Sequence, residues 1–428
     1  MMLKAAEYKD PQHNLKTEKF LSAEKLYLPL SQHTGKPSKV CVQENQIVQK
    51  NQIIAESNGF ISASLHAPIK AKVSKIKKHF HPKFGKTKTI VLSAQPEHKP
   101  DGHPNQTAGL DQFRKDQLLT AIAKAGIVGM GGAGFPAQVK LNPPKGIDTL
   151  IINGCECEPY LASDCRLMIE NLKGIFKGIE IISKLVAPEK IIFAVEENKK
   201  EAIKKINFFL HRKKNNSKIE LRVLKSRYPQ GGEKQLIYSL TKRKISGKML
   251  PFDLGCIVNN VATCFAVYEA VYFNQPLTRR IVTFCGDALV EPKNLWVNIG
   301  TTLAELIEKE IIKFKKNPKK IIFGGPMMGD AVTNLANPIL KTTSGVLFLE
   351  KLPKKEEESA CIRCGRCVNY CPINLIPLEY AKMVKKEKYQ ELKDYYIKDC
   401  IECGCCSYVC PAQIPILDYI KLGKEKIK

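Results

Sequence analysis

Two copies of the cysteine pattern C-x2-C-x2-C-x3-C-P lie in the last 70 residues, and they constrain the fold of that region more than any other feature of the sequence. Three thiolates at three-residue spacing can surround one face of a cubane iron–sulfur cluster, while a fourth leads toward a second cluster. Zinc sites use two separated C-x2-C pairs, so zinc is the weaker interpretation. The pattern predicts two [4Fe-4S] clusters held by Cys361, Cys364, Cys367, Cys371, Cys400, Cys403, Cys406 and Cys410.

The fourth cysteine of each run is expected to bind the cluster of the other run, as in bacterial two-cluster ferredoxins. The expected ligand sets are Cys361, Cys364, Cys367 with Cys410, and Cys400, Cys403, Cys406 with Cys371. Cys405 lies inside the second run but outside the pattern, so we interpret it as a bystander thiol. Free cysteines pack like small apolar residues. We therefore interpret the scattered cysteines as ordinary buried thiols: Cys41, Cys155, Cys157, Cys165, Cys256, Cys264 and Cys285.

Composition places the rest of the chain among globular, multidomain proteins. Its 428 residues suggest about two to four domains. No apolar run approaches the roughly 18 residues that span a bilayer, and the N-terminus lacks the apolar segment of a secretory signal. The net charge of +26 would suit nucleic acid, an anionic membrane surface or an acidic partner, but the lysines are spread along the whole chain, which favours solvated surfaces. With 7% aromatic residues and no basic–aromatic patch, nucleic-acid binding is the least favoured of these.

Changes in sequence pattern divide the chain into six segments. Short β-type runs separated by turns predict a small all-β module, alternating strands and helices predict a largely parallel sheet, and short strands with one helix predict an α+β module. Within the α/β part we expect one long helix over about 164–186. The predicted segments are 1–30 (a polar tail), 31–95 (all-β), 96–110 (a linker), 111–279 (α/β), 280–350 (α+β) and 351–428 (the ferredoxin domain, entered by a charged linker).

A glycine-rich loop at 129–134 reads GMGGAG and fits G-x-G-x-x-G. A helix precedes it, whereas the dinucleotide fingerprint requires a strand. Its glycines still leave backbone N–H groups free to approach a phosphate or a flat ring. Two further segments lie at the ends of predicted strands, where ligands of open α/β sheets bind: NGCECEP at 153–159 and YPQGGE at 228–233. A fourth segment, VNNV at 258–261, offers two side-chain amides. The four segments together predict an FMN pocket with room for a nicotinamide.

These segments, with GMGGAGFPAQVK at 129–140, resemble the NADH- and FMN-binding subunit of respiratory complex I. With the two ferredoxin runs and the GGPMMG segment at 324–329, nearly all of residues 25–415 is similar to the family of C subunits of Rnf/Rsx ion-translocating electron transport complexes. The resemblance implies a multidomain fold: an N-terminal β barrel-sandwich hybrid, an α/β FMN/NADH-binding domain, a β-grasp module and a C-terminal two-cluster ferredoxin domain.

The resemblance also implies a function. The chain would be a peripheral electron-input subunit of an oxidoreductase, at the cytoplasmic face of the inner membrane, bound to membrane-embedded subunits and a ferredoxin-like subunit. Electrons would pass between NAD(H) and ferredoxin-type partners through FMN and two clusters, coupled to ion translocation. No nucleic-acid partner is expected. The alternative is an electron relay of the same complex without a working flavin or NADH site. Met130, Cys155 and Gly232 motivate it, because the complex I pattern has Arg, an acidic residue and Glu there.

The residues expected to contact the cofactors are carried over from the matching motifs. No side chain is expected to act as a catalytic acid or base. The resemblance implies FMN contacts by Gly129, Gly131, Lys140, Asn153, Glu156, Tyr228, Gly231, Asn259 and Asn260. It implies nicotinamide contacts by Gly132, Phe135, Glu158 and Glu233.

Overall fold

The computed structural model describes residues 2–4, 8–96, 109–212, 218–247, 249–352 and 357–427. In these ranges the chain forms four β-sheets with helices packed on them, followed by a small helical region that holds the two cysteine runs. None of the helices in these ranges has the length and hydropathy needed to cross a bilayer. The two predicted linkers fall mostly outside the described residues.

The polar segment before residue 30, predicted as a tail, is built into the structure instead. It forms α1 (Asp10–Asn14), β1 (Thr17–Phe20) and β2 (Lys25–Pro29). β1 pairs in parallel with a strand that lies more than 270 residues later in the chain. There the Asn294 side chain donates to the carbonyl of Gln12 (2.8 Å), and Asn298 donates to that of Leu21 (2.8 Å). Because these partners are distant in sequence, the local pattern of residues 1–30 gave no sign of the strands.

Two small antiparallel sheets form the first module, as the predicted barrel-sandwich fold requires. The strand orders are β2-β8-β7-β4 and β3-β5-β6. Apolar side chains from both sheets, such as Leu26, Ile54 and Val73, join one buried core. The remaining strands are β3 (Lys39–Val40), β4 (Ile47–Val48), β5 (Ile53–Glu56), β6 (Leu65–His66), β7 (Ala71–His81) and β8 (Gly85–Ala94).

The second module is a four-stranded parallel sheet with helices around it, as the alternating pattern predicts. The strand order is β11-β10-β9-β12, so the carboxyl ends of β9 and β12 are neighbours. Its elements are α2 (Lys115–Lys124), α3 (Ala137–Lys140), β9 (Thr149–Gly154), α4 (Ser163–Glu170), α5 (Leu172–Val186), β10 (Lys190–Glu196), α6 (Lys200–Arg212), β11 (Ile219–Leu224), α7 (Glu233–Thr241), β12 (Cys256–Asn260) and α8 (Val261–Phe273).

The long helix predicted over 164–186 is two helices, so that prediction is wrong in detail. Asn171 separates α4 from α5 with φ −127° and ψ 29°, outside the helical region. α4 is buried along nearly its whole length, while α5 packs against α8. The apolar periodicity continues through the break, which is why the sequence indicated a single helix.

A six-stranded mixed sheet forms the third module. Its order is β1-β14-β13-β17-β15-β16, and its central strands β13 and β17 run in parallel. The first and last strands of the module are therefore adjacent at its centre, as the predicted β-grasp fold requires. The elements are β13 (Arg279–Cys285), β14 (Lys293–Asn298), α9 (Leu303–Glu308), β15 (Lys320–Phe323), β16 (Asp330–Val332) and β17 (Gly345–Leu349).

The C-terminal region repeats one unit, in which a short helix within each cysteine run is followed by a longer helix. The helices are α10 (Arg366–Asn369), α11 (Pro377–Lys385), α12 (Cys405–Tyr408) and α13 (Ile416–Lys426). α11 packs against α13 around Tyr380, Leu392 and Ile420. A core of this size supplies little stability by itself, so bound clusters would supply much of the rest.

Lys341, in a loop of the third module, binds to the first and second modules. Its side chain is fully buried, and Nζ donates to the carbonyl oxygens of Ser64 and Gly126, both at 2.7 Å. Its own carbonyl accepts from the guanidinium of Arg280. Burial lowers the pKa of the Lys341 ammonium to about 7. The Lys341 amine therefore joins the barrel-sandwich module to the loop that precedes the glycine-rich segment.

Replacing Lys341 with methionine should leave the Ser64 and Gly126 carbonyls without a donor and lower the free energy of unfolding by about 1–3 kcal/mol at pH 10. The amine pKa is about 7 in the fold and about 10.5 in the unfolded chain. The unfolded state therefore binds more protons between these values, and the contribution of Lys341 to stability rises with pH there. Urea unfolding of both proteins from pH 6.5 to 10 checks this; a stability difference independent of pH would contradict it.

Candidate functional site

The glycine-rich loop joins α2 to α3 and lies against the start of α8. Its ends are closed by backbone bonds from Gly129 N to Phe135 O (2.8 Å) and from Gly134 N to Gly129 O (3.1 Å). Met130 N donates to Oγ1 of Thr263 (3.0 Å), in the first turn of α8. Residues 131–133 are exposed, so their backbone is open to a ligand. The loop thus reaches the sheet edge although a helix precedes it.

Glycine stands at two positions in these segments where another part of the chain passes close to the backbone. A Cβ on Gly131 would lie 3.4 Å from Cβ of Asn260, at the end of β12. A Cβ on Gly231 would collide with the carbonyl oxygen of Cys155 and lie 3.3 Å from Cys157 Sγ. The segments at 129–134, 153–159, 228–233 and 258–261 therefore meet at the carboxyl edge of the parallel sheet, as predicted.

Two asparagines, Asn153 and Asn260, hold these segments together. Asn153 donates to the carbonyl of Gly231 (2.9 Å), and its own side-chain oxygen accepts from Cys155 N (3.0 Å). Asn260 caps α8 by accepting from Ala262 N (2.8 Å) and donates to Asp164 (2.6 Å). Asn259 differs, because its buried Nδ2 has no hydrogen-bond partner among the described residues. A buried donor of this kind fits an acceptor on a bound molecule.

Lys140 supplies a cation at the end of α3. Its Nζ lies 2.7 Å from the carboxylate of Glu233, the first residue of α7, and both side chains are partly exposed. A phosphate has the charge and the acceptors to bind this ammonium. Phe135 is partly exposed beside the loop, and Gly132 adopts φ +109°, a conformation that favours glycine.

The two acidic residues of NGCECEP already accept hydrogen bonds from the protein. The Glu156 carboxylate binds Oγ of Ser163 and the backbone N of Asp164 (both 3.1 Å), at the start of α4. Glu158 accepts from the backbone N–H groups of Met327 (3.1 Å) and Met328 (2.8 Å), in the GGPMMG turn. Burial raises the pKa of Glu158 to about 7. Their predicted cofactor contacts stay predictions.

Tyr228 faces the ferredoxin domain through its hydroxyl. Oη donates to the carbonyl of Cys403 (2.9 Å), and the side chain is buried in one cluster with Cys403, Cys405 and Leu3. Its backbone exchanges two hydrogen bonds with Leu3, both 2.8 Å. The residue predicted to contact FMN therefore also forms the contact between the flavin-type loops and the second cysteine run.

The structure brings Cys371 of the first run to three cysteines of the second. These four line one pocket with Cys405, Tyr380 and Ile420. On the other side of the domain, burial and the nearby charges of Cys361 and Cys410 raise the pKa of the Cys367 thiol. The predicted exchange of the fourth ligand requires these two groupings, and the ligand sets themselves stay predictions.

A multi-iron cluster fits these thiols better than one metal ion. Among the described residues, no set of three or more His, Cys, Asp and Glu side chains is placed to hold a single ion. A cubane spreads its four ligands around four irons, whereas tetrahedral zinc draws them to one point. Cys361 and Cys364 are exposed, while Cys403 and Cys406 are buried. Two thiols of one set are therefore open to solvent, whereas Cys403 of the other set contacts the flavin-type loops through Tyr228.

Sequence reasoning missed Asp164 and Thr263, which position the site through side-chain bonds. Asp164 is half-buried; its removal from water and the charge of Glu156 raise its pKa to about 7. It accepts from Asn260, which lies 96 residues away in sequence. Thr263 could have been found, because it follows VNNV in the first turn of α8. No local signal marks Asp164.

Three family profiles match the chain in the order of its modules. They are described as RnfC Barrel sandwich hybrid domain (residues 3–97), Nuo51 FMN-binding domain (residues 122–269) and 4Fe-4S dicluster domain (residues 360–414). The first of these includes most of the segment predicted as a tail. The profiles confirm the predicted barrel-sandwich, flavin and two-cluster domains.

Curated relatives match most of the chain. The C subunit of the proton-translocating ferredoxin:NAD(+) oxidoreductase complex of Clostridium ljungdahlii is 42% identical, covering 87% of this chain and 81% of that protein. The C subunit of the ion-translocating oxidoreductase complex of Rhodobacter capsulatus is 38% identical, covering 82% and 68%. For the corresponding protein of Pectobacterium carotovorum the identity is 37%, and this chain spans only half of its length.

A solved structure shares the fold. An NAD+-reducing [NiFe]-hydrogenase in the H2-reduced state matches 73% of this chain and 54% of its own with a TM-score of 0.50 and 18% sequence identity. At that identity the match supports the fold alone. Because relatives 42% and 38% identical are matched over 81% and 68% of their own lengths, this chain, with its FMN-binding and 4Fe-4S dicluster profiles, belongs to the family of C subunits of ion-translocating oxidoreductase complexes.

Proposed function

We propose that this protein is the peripheral electron-input subunit of a membrane-bound complex that couples electron transfer between NAD(H) and ferredoxin-type partners to ion translocation. When bound, FMN exchanges a hydride with NAD(H) and single electrons with the clusters. One observation carries the proposal. Tyr228, in a flavin-type loop, donates to the Cys403 carbonyl, so the two cofactor regions are in direct contact.

The residues at the sheet edge have distinct proposed roles. Gly129, Gly131 and Gly231 bring the backbone close to FMN, Asn259 donates to one of its acceptors, and Lys140 binds its phosphate. Asn153 and Asn260 hold the loops, and the predicted contacts of Glu156 and Tyr228 complete the set. On the nicotinamide side, Gly132 and Phe135 would lie against the ring, while Glu158 and Glu233 would orient it.

We base the proposed order of the two clusters along the electron path on the contacts and exposure of their cysteines. The set with Cys371, Cys400, Cys403 and Cys406 is proximal to the flavin, because Cys403 contacts Tyr228. The set with Cys361, Cys364, Cys367 and Cys410 is distal, and the exposed residues Cys361, Ile362 and Cys364 offer it to a ferredoxin-like subunit. Membrane-embedded subunits would receive the electrons and move the ion, with this chain at the cytoplasmic face.

Anaerobic mixing of the reconstituted full chain with NADH tests the proposal. The expected result is bleaching of flavin absorbance followed by bleaching of the cluster absorbance. Clusters in a protein that binds no FMN would instead favour the electron relay, which the residues Met130, Cys155 and Gly232 motivate. A reconstituted protein with far fewer than about eight irons would contradict the two-cluster assignment.

Replacing Asn259 with alanine should weaken FMN binding roughly tenfold, because a buried hydrogen bond to the cofactor is lost. The apoprotein should be as stable as the parent or slightly more stable, since the variant removes a buried donor that has no protein partner among the described residues. Fluorescence titration of FMN and thermal unfolding of the apoprotein check both signs. Asn142→Ala, at an exposed position, is the control. Equal FMN affinity in the Asn259 variant and parent would exclude the contact.

A further inference from the structure

The β7–β8 hairpin concentrates positive charge on one element, although the lysines are spread along the sequence as a whole. Residues 70–88 contain eight lysines and no Asp or Glu. β7 and β8 pair along almost their whole length, and the turn at 82–84 connects them. Lys70 donates to the carbonyl of Pro96. The other seven lysines are exposed: Lys72, Lys75, Lys77, Lys78, Lys83, Lys86 and Lys88.

The two faces of the hairpin differ. On one face, the His79 ring stacks on Tyr27 with centroids 4.1 Å apart and donates to the carbonyl of Ala336 (2.8 Å). His81 donates to the carbonyl of Ser31 (2.9 Å) on the same face. Successive side chains of a strand alternate between faces, so Lys78 and Phe80 point the other way. One face is therefore packed on the protein at His79 and His81, and the other presents Lys78, Lys86 and Lys88.

The outward face places like charges opposite each other. Lys78 pairs in register with Lys88, and Phe80 pairs with Lys86, whose Nζ lies 4.9 Å from the ring centroid. Directly opposed like charges destabilise a sheet. Within the described part of the chain, no carboxylate forms an ion pair with any of the seven lysines. The carboxylate of Glu44, which lies near the hairpin, accepts a hydrogen bond from the backbone N of Ile76 (2.7 Å) instead. This arrangement suits an external anionic surface.

The turn of the hairpin adds an apolar group. Phe84 is 57% exposed, its ring stacks on His81 with centroids 4.8 Å apart, and Lys83 Nζ lies 5.8 Å from it. One aromatic ring at the end of a basic hairpin can enter the interfacial layer of a bilayer while the ammonium groups bind headgroups. Stacking sites for nucleic-acid bases would require several such rings. Flexible lysines also suit the diffuse charge of a lipid surface better than shaped recognition of one protein.

We propose that this hairpin docks the protein on a membrane by binding anionic phospholipid headgroups, with Phe84 inserted among them. The inference rests on the peripheral location proposed above, and it gives that location a specific contact surface. Attraction of this kind is screened by salt, whereas insertion of an apolar ring is not. The two contributions can therefore be measured separately.

Flotation of the full, cofactor-loaded chain with vesicles tests the inference. Vesicles with about 30% phosphatidylglycerol in phosphatidylcholine should bind the protein, and pure phosphatidylcholine vesicles should not. Lys78→Glu/Lys86→Glu should weaken binding at least roughly tenfold. The new carboxylate at position 78 faces Lys88, which favours the strand pairing. Phe84→Ala should weaken binding several-fold and remove the part that resists salt.

The matched control is Lys200→Glu/Lys204→Glu, which makes the same change in charge at two exposed positions of α6. It should bind vesicles nearly as the parent does. NADH-dependent bleaching should be unchanged in every variant, so failure of vesicle binding and failure of the proposed function are separate results. Equal loss in the control pair, equal binding to neutral vesicles, or binding only to a purified acidic protein or nucleic acid would overturn the proposal.

Discussion

Replacing Cys403 with serine is expected to remove the proximal cluster and to lower bound iron from about eight to about four atoms per chain. NADH should still bleach the flavin, since FMN contacts lie in the α/β module, but the remaining cluster should be reduced far more slowly. The reason is position: Cys403 lines the cavity nearest the flavin-type loops and its carbonyl accepts from Tyr228. Iron analysis and stopped-flow absorbance measure the two effects.

Two further variants test the order of the clusters and the assignment of their ligands. Cys364→Ser removes an exposed thiol of the other set, so NADH should still reduce the proximal cluster at nearly the parent rate, while transfer to a ferredoxin-type acceptor falls. Cys405→Ser changes a buried thiol that lines the same cavity but lies outside the pattern, so iron content should stay near eight. Loss of four irons from the Cys405 variant would contradict the ligand assignment, and identical kinetics in the Cys403 and Cys364 variants would contradict the order of the clusters.

The parts of this protein that were predictable from sequence are those set by local spacing. The cysteine runs show within a few residues that the region binds iron–sulfur clusters. The alternation of strands and helices predicts a parallel sheet, and the loops that bind ligands lie at the carboxyl edge of such a sheet. The G-x-G-x-x-G match lacked its strand, yet the loop reaches the sheet edge because Met130 N is bound to Thr263. The glycines indicated a binding site because they leave the backbone open to a ligand, not because they match the dinucleotide motif.

The parts that sequence could not supply depend on partners distant in the chain. β1 is ordered by Asn294 and Asn298, and α4 ends at Asn171 although the apolar pattern continues. A sequence motif likewise identifies a carboxylate, but it does not show which groups that carboxylate binds in the folded protein. Glu156 caps α4, and Glu158 holds the turn at Met327. Their roles depend on elements that only the folded chain brings near them.

Replacing Gly231 with alanine should abolish most FMN binding while leaving both clusters in place. The new methyl group would collide with the carbonyl oxygen of Cys155, which cannot retreat easily because Asn153 binds both Cys155 N and the Gly231 carbonyl. Overpacking of this kind costs about 1–3 kcal/mol, which corresponds to a loss of roughly 5- to 150-fold in FMN affinity if the loops must separate. Fluorescence titration of FMN and iron analysis check the two halves of the prediction.

The control is Gly146→Ala, since a Cβ there would meet nothing within 4 Å. It should bind FMN as the parent does. Asn153→Ala in the Gly231→Ala background tests the mechanism, because freeing the Cys155 loop should recover part of the lost affinity if collision is the cause. Unchanged FMN affinity in the single variant would mean that NGCECEP and YPQGGE do not jointly shape the pocket. Loss of iron together with FMN would mean that the substitution unfolds the Tyr228–Cys403 contact rather than the flavin site alone.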